Sequence, residues 1–236
     1  MARLSSLQFR LSLWVGLVVV TLNAVIIGYF AKVTQSESVE KARTHMLATA
    51  RQEARAFQRP LNRAMDVART LAQGITARQE IGQGESREST NVLLRRILEG
   101  NPDFLATYTL WEPNAFDGQD ARYAGTPGHD RTGRFIPYWN RGQDGSIQCE
   151  AITSYETPGI GDYYLVPRQT LRETVVEPYV YPVRGRPVFM TSLVAPIIIK
   201  KRFNGIAGVD YRLDFLQHLV DQVSLYGGTG RLCILS

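Results

Sequence analysis

The sequence predicts an α+β fold carried on a membrane anchor. Three features point to it: an uncharged apolar run near the N-terminus, a helical stripe of apolar residues behind it, and short strands bounded by Gly, Pro and Asp from Phe104 onward. The chain has 236 residues and 44% of them are hydrophobic, enough to bury a real core. Its formal charge is +5, from 27 basic and 22 acidic residues, with the arginines scattered along the chain. A nucleic-acid binder gathers such residues into a stripe or a recognisable motif, and neither is present. No nucleic-acid partner is expected.

Between Arg10 and Lys32 no residue is charged, and residues 11–31, LSLWVGLVVVTLNAVIIGYFA, form one apolar run. As a helix these 21 residues span roughly 31 Å, close to the ~30 Å of a bilayer's hydrocarbon. A cleavable signal has a shorter apolar core and a small-x-small end, so this run reads as an uncleaved, single-pass transmembrane helix behind a cytoplasmic tail, residues 1–10. Arg3 and Arg10 precede the span, whereas Lys32, Lys41, Arg43 and Arg51 follow it, so charge is similar on both sides. A short tail and a long following domain favour the domain outside the cytoplasm, because long domains translocate largely regardless of charge.

After the anchor, Val39, Ala42, Met46, Ala50, Ala54, Phe57, Leu61, Ala64, Ala68, Leu71 and Ile75 recur in steps of three and four. That spacing predicts one long helix over residues 32–80, with a kink at Pro60 where a backbone donor is lost. Its upper end, at Val39, Ala42 and Met46, also suits a homodimer seam. GQGESREST marks a turn, and a shorter helix through Leu93, Leu94, Ile97 and Leu98 ends at Gly100-Asn101-Pro102.

The strand region predicts about five antiparallel strands, from FLATYTLWE, RFIPYW, SIQCEAI, TVVEPYVY, PVFMTSLVAPIII and NGIAGVDY. A helix from Leu213 to Tyr226 and a strand in RLCILS are expected to follow, and a strand beginning at the last residues suggests a fragment or truncated product of a longer protein.

No catalytic constellation is visible. GxSxG, P-loop and HExxH motifs are absent, and His45, His129 and His218 fall on separate elements. The Asp-rich loop from Phe116 to Asp130 lacks EF-hand spacing and reads as a turn held by Asp117 and Gly118. Cys149 and Cys233 read as two isolated thiols. No enzyme activity, cofactor or metal is expected.

FDGQD, TGRFIPYWNR, YYLVP, EPYVYP, MTSLVAPI and GIAGVDYRLDFLQ, in this order and spacing, resemble the double Cache sensor domains of bacterial methyl-accepting chemotaxis receptors. The resemblance implies a PAS-like (Cache) module with a five-stranded antiparallel sheet, residues 81–212, distal to the membrane. Residues 213–236 would then be a connecting helix and the first strand of an incomplete proximal module. It further implies an inner (plasma) membrane protein with a periplasmic sensor domain that takes part in chemotaxis and signal transduction. Similar domains also front histidine kinases and diguanylate cyclases. A periplasmic interaction module without a small ligand is a further alternative.

In that family the distal module usually holds the ligand. Amino-acid-binding members carry an Arg two positions before a Trp-Tyr pair and an Asp late in the module. Here Tyr163-Tyr164 stands where Trp-Tyr would and Gly161 where the Arg would, while Asp210 keeps the late acidic place. The guanidinium that would grip a carboxylate is missing, which argues against an ordinary α-amino acid. What remains is aromatic and acidic: Tyr138, Tyr163, Tyr164, Tyr179, Tyr181, Glu177 and Asp210. Tyrosine faces attract cations and a carboxylate adds a charged partner, so an amine or a flat heterocycle is the expected small-molecule ligand. The same tyrosines could instead fill the core, and Arg134 or Arg168 entering the site would reverse its charge preference.

Overall fold

In a computed structural model, which describes residues 7–81 and 86–213, helix α1 (Leu7–Glu80) runs unbroken through Pro60. The chain divides into two compact units, residues 1–56 and 57–236. In the first, the side chains of the apolar run are exposed along the helix, as at Leu11, Trp14 and Phe30. This is the one helix among the described residues long and apolar enough to cross a membrane.

The second unit is built on a seven-stranded antiparallel sheet: β1 (Phe104–Trp111), β2 (Pro137–Arg141), β3 (Ile147–Ala151), β4 (Thr174–Val175), β5 (Tyr179–Val183), β6 (Arg186–Ile199) and β7 (Arg202–Arg212). The order is β3-β2-β1-β7-β6-β4, with β5 also pairing β6. Helix α2 (Arg87–Gly100), capped by Ser86 through the Ser89 N–H, precedes the sheet, and α3 (Asp162–Thr170) lies between β3 and β4.

Two expectations are corrected. The sheet has seven strands rather than about five, because each of the six segments pairs and TVVEPYVY is two strands. Val175 pairs with Leu193 but Tyr179 pairs with Met190, so four residues advance on one strand while three advance on the other. Pro178 lacks an N–H to donate, and the extra residue forms a bulge at Val176–Pro178 on this edge. The second is α3, a helix over residues that the sequence assigns to no element. Gly161 accepts from the Leu165 N–H, and the helix stops at Leu171 in the left-handed conformation. The expected helix after Leu213, the last strand, His218 and Cys233 lie outside the described residues.

Strand alternation sends side chains to two cores. On one face Trp111, Leu193, Ala195, Ile197, Ala207 and Val209 pack with Ala64, Ala68, Leu71 and Ile75 of α1 and with Leu94 and Leu98 of α2. On the other, Tyr108, Leu110, Tyr138, Val194 and Ile206 pack with Tyr163 and Tyr164 of α3. Strand β1 is buried throughout because both faces are covered. The lower half of the predicted helical stripe is therefore core, whereas Val39 and Met46 stay exposed. Cys149 is a free thiol that burial pushes up to about 12, so it stays protonated.

The Asp-rich loop is tied down by Arg87 at the start of α2. Its guanidinium donates to Asp117 at 2.7 and 2.9 Å, to Asp120 at 2.6 Å and to the Gly133 carbonyl at 2.7 Å, and it lies 4.2 Å from the centre of the Tyr123 ring. The aspartates thus serve a cation of the chain itself, and His129 packs on the same loop, stacked on Tyr123. Replacing Arg87 by Ala would leave Asp120 buried without its cation. We expect Arg87→Ala to lose about 3–5 kcal/mol in urea unfolding followed by tryptophan fluorescence, with Arg87→Lys recovering only part because the bidentate fork is lost. A loss under about 1 kcal/mol, the value of an exposed pair, would contradict this role.

A closed tyrosine chamber around Asp210

The second core contains a polar centre. Tyr108 from β1, Tyr138 from β2, Tyr163 from α3, Tyr179 and Tyr181 from β5 and Asp210 from β7 line one small cavity, with Ile152. The rings meet edge-on or tilted: Tyr108 to Tyr138 at 5.7 Å, Tyr108 to Tyr163 at 6.1 Å, Tyr138 to Tyr181 at 5.8 Å and Tyr163 to Tyr181 at 6.1 Å between centroids. These are favourable aromatic geometries, so the ring of tyrosines stabilises itself.

Register explains the assembly. Tyr108 pairs with Gly208 across β1 and β7, and a Cβ on Gly208 would stand 2.3 Å from the Tyr108 ring, so only glycine lets that ring lie flat over the strand. Asp210, two residues on, emerges on the same face. It pairs with Ser192 of β6, whose hydroxyl donates to the carboxylate at 2.5 Å, while Tyr138 donates at 2.7 Å to the other oxygen. Tyr179 bonds Ser192 at 2.8 Å. On the far side, the backbone of Thr153 accepts from Tyr163 at 2.7 Å and from Tyr181 at 3.2 Å.

Asp210 is 2% exposed, and burial pushes its carboxyl up to about 7 against the opposing hydroxyl contacts. No cation is among the groups that act on it. Burial likewise holds Tyr108 and Tyr138 well above the ordinary tyrosine value, so both remain neutral donors. The Tyr108 hydroxyl is buried and faces Ser192 and Asp210, outside good hydrogen-bonding geometry to either. The cavity measures about 10 Å³, room for about one water.

Five of the seven residues expected at a site therefore converge: Tyr138, Tyr163, Tyr179, Tyr181 and Asp210. Two do not. Tyr164 follows Tyr163 in α3, where successive side chains point about 100° apart. Its hydroxyl donates to Glu112 and accepts from Arg134 at 2.7 Å. Glu177 would share a face with Tyr179 and Tyr181 in a regular strand, but the bulge turns it outward and it is exposed. Arg134 and Arg168 serve the Tyr164–Glu112 cluster and do not line the chamber. Tyr108 and Ser192 were not foreseen; the only signals were the hydroxyls in a buried strand and the glycine two residues before Asp210.

An antiparallel sheet with long helices on one face and an enclosed aromatic site on the other is the architecture of a PAS-like sensor module. Residues 90–218 match the family described as methyl-accepting chemotaxis protein-like, first PDC sensor domain, and the chain belongs to that family. The methyl-accepting chemotaxis protein TlpQ of Pseudomonas aeruginosa is 27% identical over 98% of this chain, and the chain spans 37% of that relative's length. Among solved structures, the extracellular domain described as that of the histidine kinase mmHK1S-Z2 superposes with a TM-score of 0.69 at 35% identity, covering 78% of this chain and 66% of that one. The sensory domain of the Campylobacter jejuni chemoreceptor Tlp3 with isoleucine bound shares the fold, with a TM-score of 0.55 at 17% identity over 82% of this chain and 67% of that one.

The Asp210 carboxyl titrates near 7 when folded against 3.8 ordinarily, so the folded protein holds a proton between these values that the unfolded chain has released. Wild-type stability then falls as pH rises through that window and levels above it. Thermal melts of Asp210→Asn, which cannot ionise, should move in the variant's favour relative to wild type from about pH 4 to 7 and run parallel above about pH 8. Profiles parallel throughout would show that Asp210 is not desolvated.

Proposed function

We propose that this chain is the anchored, ligand-sensing part of a bacterial chemoreceptor, and that the tyrosine chamber takes the cationic nitrogen of a small organic amine, flat heterocyclic amines included. The observation that carries this reading is a buried carboxyl with no cation among the groups that act on it, ringed by five tyrosines. A protonated amine supplies the missing charge, and the ring faces add about 0.5–2 kcal/mol each when desolvated. The missing arginine at Gly161 separates this site from one built to grip an amino acid's carboxylate.

A cavity of about 10 Å³ admits no amine, so binding requires the rings to part. The movable wall is the segment from α3 to β5. It supplies Tyr163, Tyr179 and Tyr181, and its strands pair only with β6, across the bulge at Val176–Pro178. A ligand that binds the open arrangement better shifts the population toward it, and the shift leaves through β7 toward the residues beyond Leu213. In this reading residues 11–31 cross the inner membrane, residues 81–212 form the distal module in the periplasm, and Val39 and Met46, exposed on α1, belong to a pairing seam with a second copy. The module binds and relays rather than transforms its ligand. Likeness to TlpQ favours a methyl-accepting output, and the 35% identity to a histidine kinase ectodomain supports a kinase output as the second reading.

The test is a thermal-shift screen of the chain in lipid nanodiscs with amines, heterocycles, organic acids and amino acids. At a hundredfold excess over Kd a ligand adds about 2.7 kcal/mol, or roughly 5–10 °C for a module of this size. We expect amines to raise the melting temperature and Asp210→Asn to abolish that rise. If amino acids alone stabilise the protein and Asp210→Asn leaves their effect intact, the reading fails.

A further inference from the structure

A second cleft, of about 540 Å³, lies between the β2–β3 turn, the β5–β6 turn and the end of β7. Among the described residues four arginines line it, Arg141, Arg184, Arg186 and Arg212, against one carboxylate, Asp144. The turns are shaped to bring these charges together. Arg184 and Gly185 both have positive φ, 51° and 73°, the geometry of a tight two-residue hairpin, and an arginine is an uncommon choice for the first position. Its guanidinium lies across the facing turn, donating to Asn140 Oδ1 and Ser146 Oγ at 2.7 Å each and to the carbonyls of Asn140 and Ser146 at 3.0 and 2.8 Å. A Cβ on Gly142 would stand 2.4 Å from Arg184 Nη1, so that turn keeps a glycine where the arginine crosses it.

Arg141, Arg184 and Arg186 are held by neutral acceptors. Arg141 donates to the Leu98 carbonyl at 2.6 Å, and Arg186 donates to Gln143 Oε1 at 2.9 Å. Asp144 approaches Arg184 at 3.8 Å with its side chain 72% exposed, and Glu150 accepts from the Asn140 amide outside the cleft. Hydrogen bonds to carbonyls and amides fix a guanidinium in place but do not cancel its charge. Val183 and Val188 supply low-dielectric walls, which concentrate the field of neighbouring cations in the space between them.

We propose that this cleft binds a small oxyanion carrying two or more negative charges, such as inorganic phosphate or a di- or tricarboxylate. The site is separate from the tyrosine chamber and opposite to it in charge, so it stands or falls independently of the amine reading. Planar guanidinium groups match carboxylate and phosphate oxygens in pairs, and several of them converging favour a multivalent guest over a monovalent one.

The experiment is isothermal titration calorimetry on the whole chain in phosphatidylcholine nanodiscs at low salt, with citrate and inorganic phosphate as probes and acetate at matched ionic strength as the monovalent control. One-to-one binding of citrate or phosphate but not of acetate is expected. Arg186→Gln, an exposed side chain whose change spares the core, should weaken it about tenfold, the effect of losing one charged hydrogen bond. Asp144→Asn, which removes the opposing charge of the described lining, should tighten binding several-fold, and Asp210→Asn should leave it unchanged. No measurable binding of either probe would overturn the proposal, as would binding indifferent to both Arg186→Gln and Asp144→Asn.

Discussion

A carboxylate withdrawn from water with no cation to receive it is the constraint around which the second core is organised. Asp210 sits in the middle of β7, between β1 and β6, and no cation is among the groups that act on it. The hydroxyls that act on it come from different strands: Ser192 from β6, Tyr138 from β2 and, less well aligned, Tyr108 from β1, with Tyr179 one bond further out. Those bonds lower the cost of the burial without removing it, since desolvation still outweighs them. A structural core of this size would be better served by an apolar side chain, so the strain is a reason to look for a guest.

The two faces of the sheet divide the labour. The helix-covered face is dry, with alanines on α1 letting that helix approach the strands closely, and it holds the framework. The opposite face is closed by one short helix and an edge whose two strands, broken by a bulge, pair with β6 alone. A module that must open for a ligand without losing its fold needs this asymmetry. Arg87 adds to the rigid half by clamping the long loop before β2, so that β1 and β2, which carry Tyr108 and Tyr138, keep their positions.

Much of this was legible in the residues, and the failures have physical causes. The apolar run and the stripe from Leu61 to Ile75 are periodic over many turns, which is where pattern is most informative. Asp210, Tyr138 and Tyr181 could be foreseen from likeness to a family; their convergence could not, because it depends on cross-strand register. Tyr108 was hidden for a further reason: β1 is buried on both faces, so no alternation of polarity marks which side each residue takes. Glu177 was misplaced because a one-residue bulge reverses the parity of a strand, and Tyr164 because adjacent positions that share a site in a loop diverge in a helix. Pro167 concealed α3, since a proline near tyrosines reads as a turn although a short helix tolerates it.

The most direct test of the central claim is the titration of the Asp210 carboxyl itself, followed by its carbon chemical shift in selectively labelled protein, with and without a saturating amine. The account predicts a midpoint near 7 in the free protein, falling by more than about one unit when a cation settles beside the carboxylate. A midpoint near 4 in the free protein, or one that does not move when an amine is bound, would contradict it.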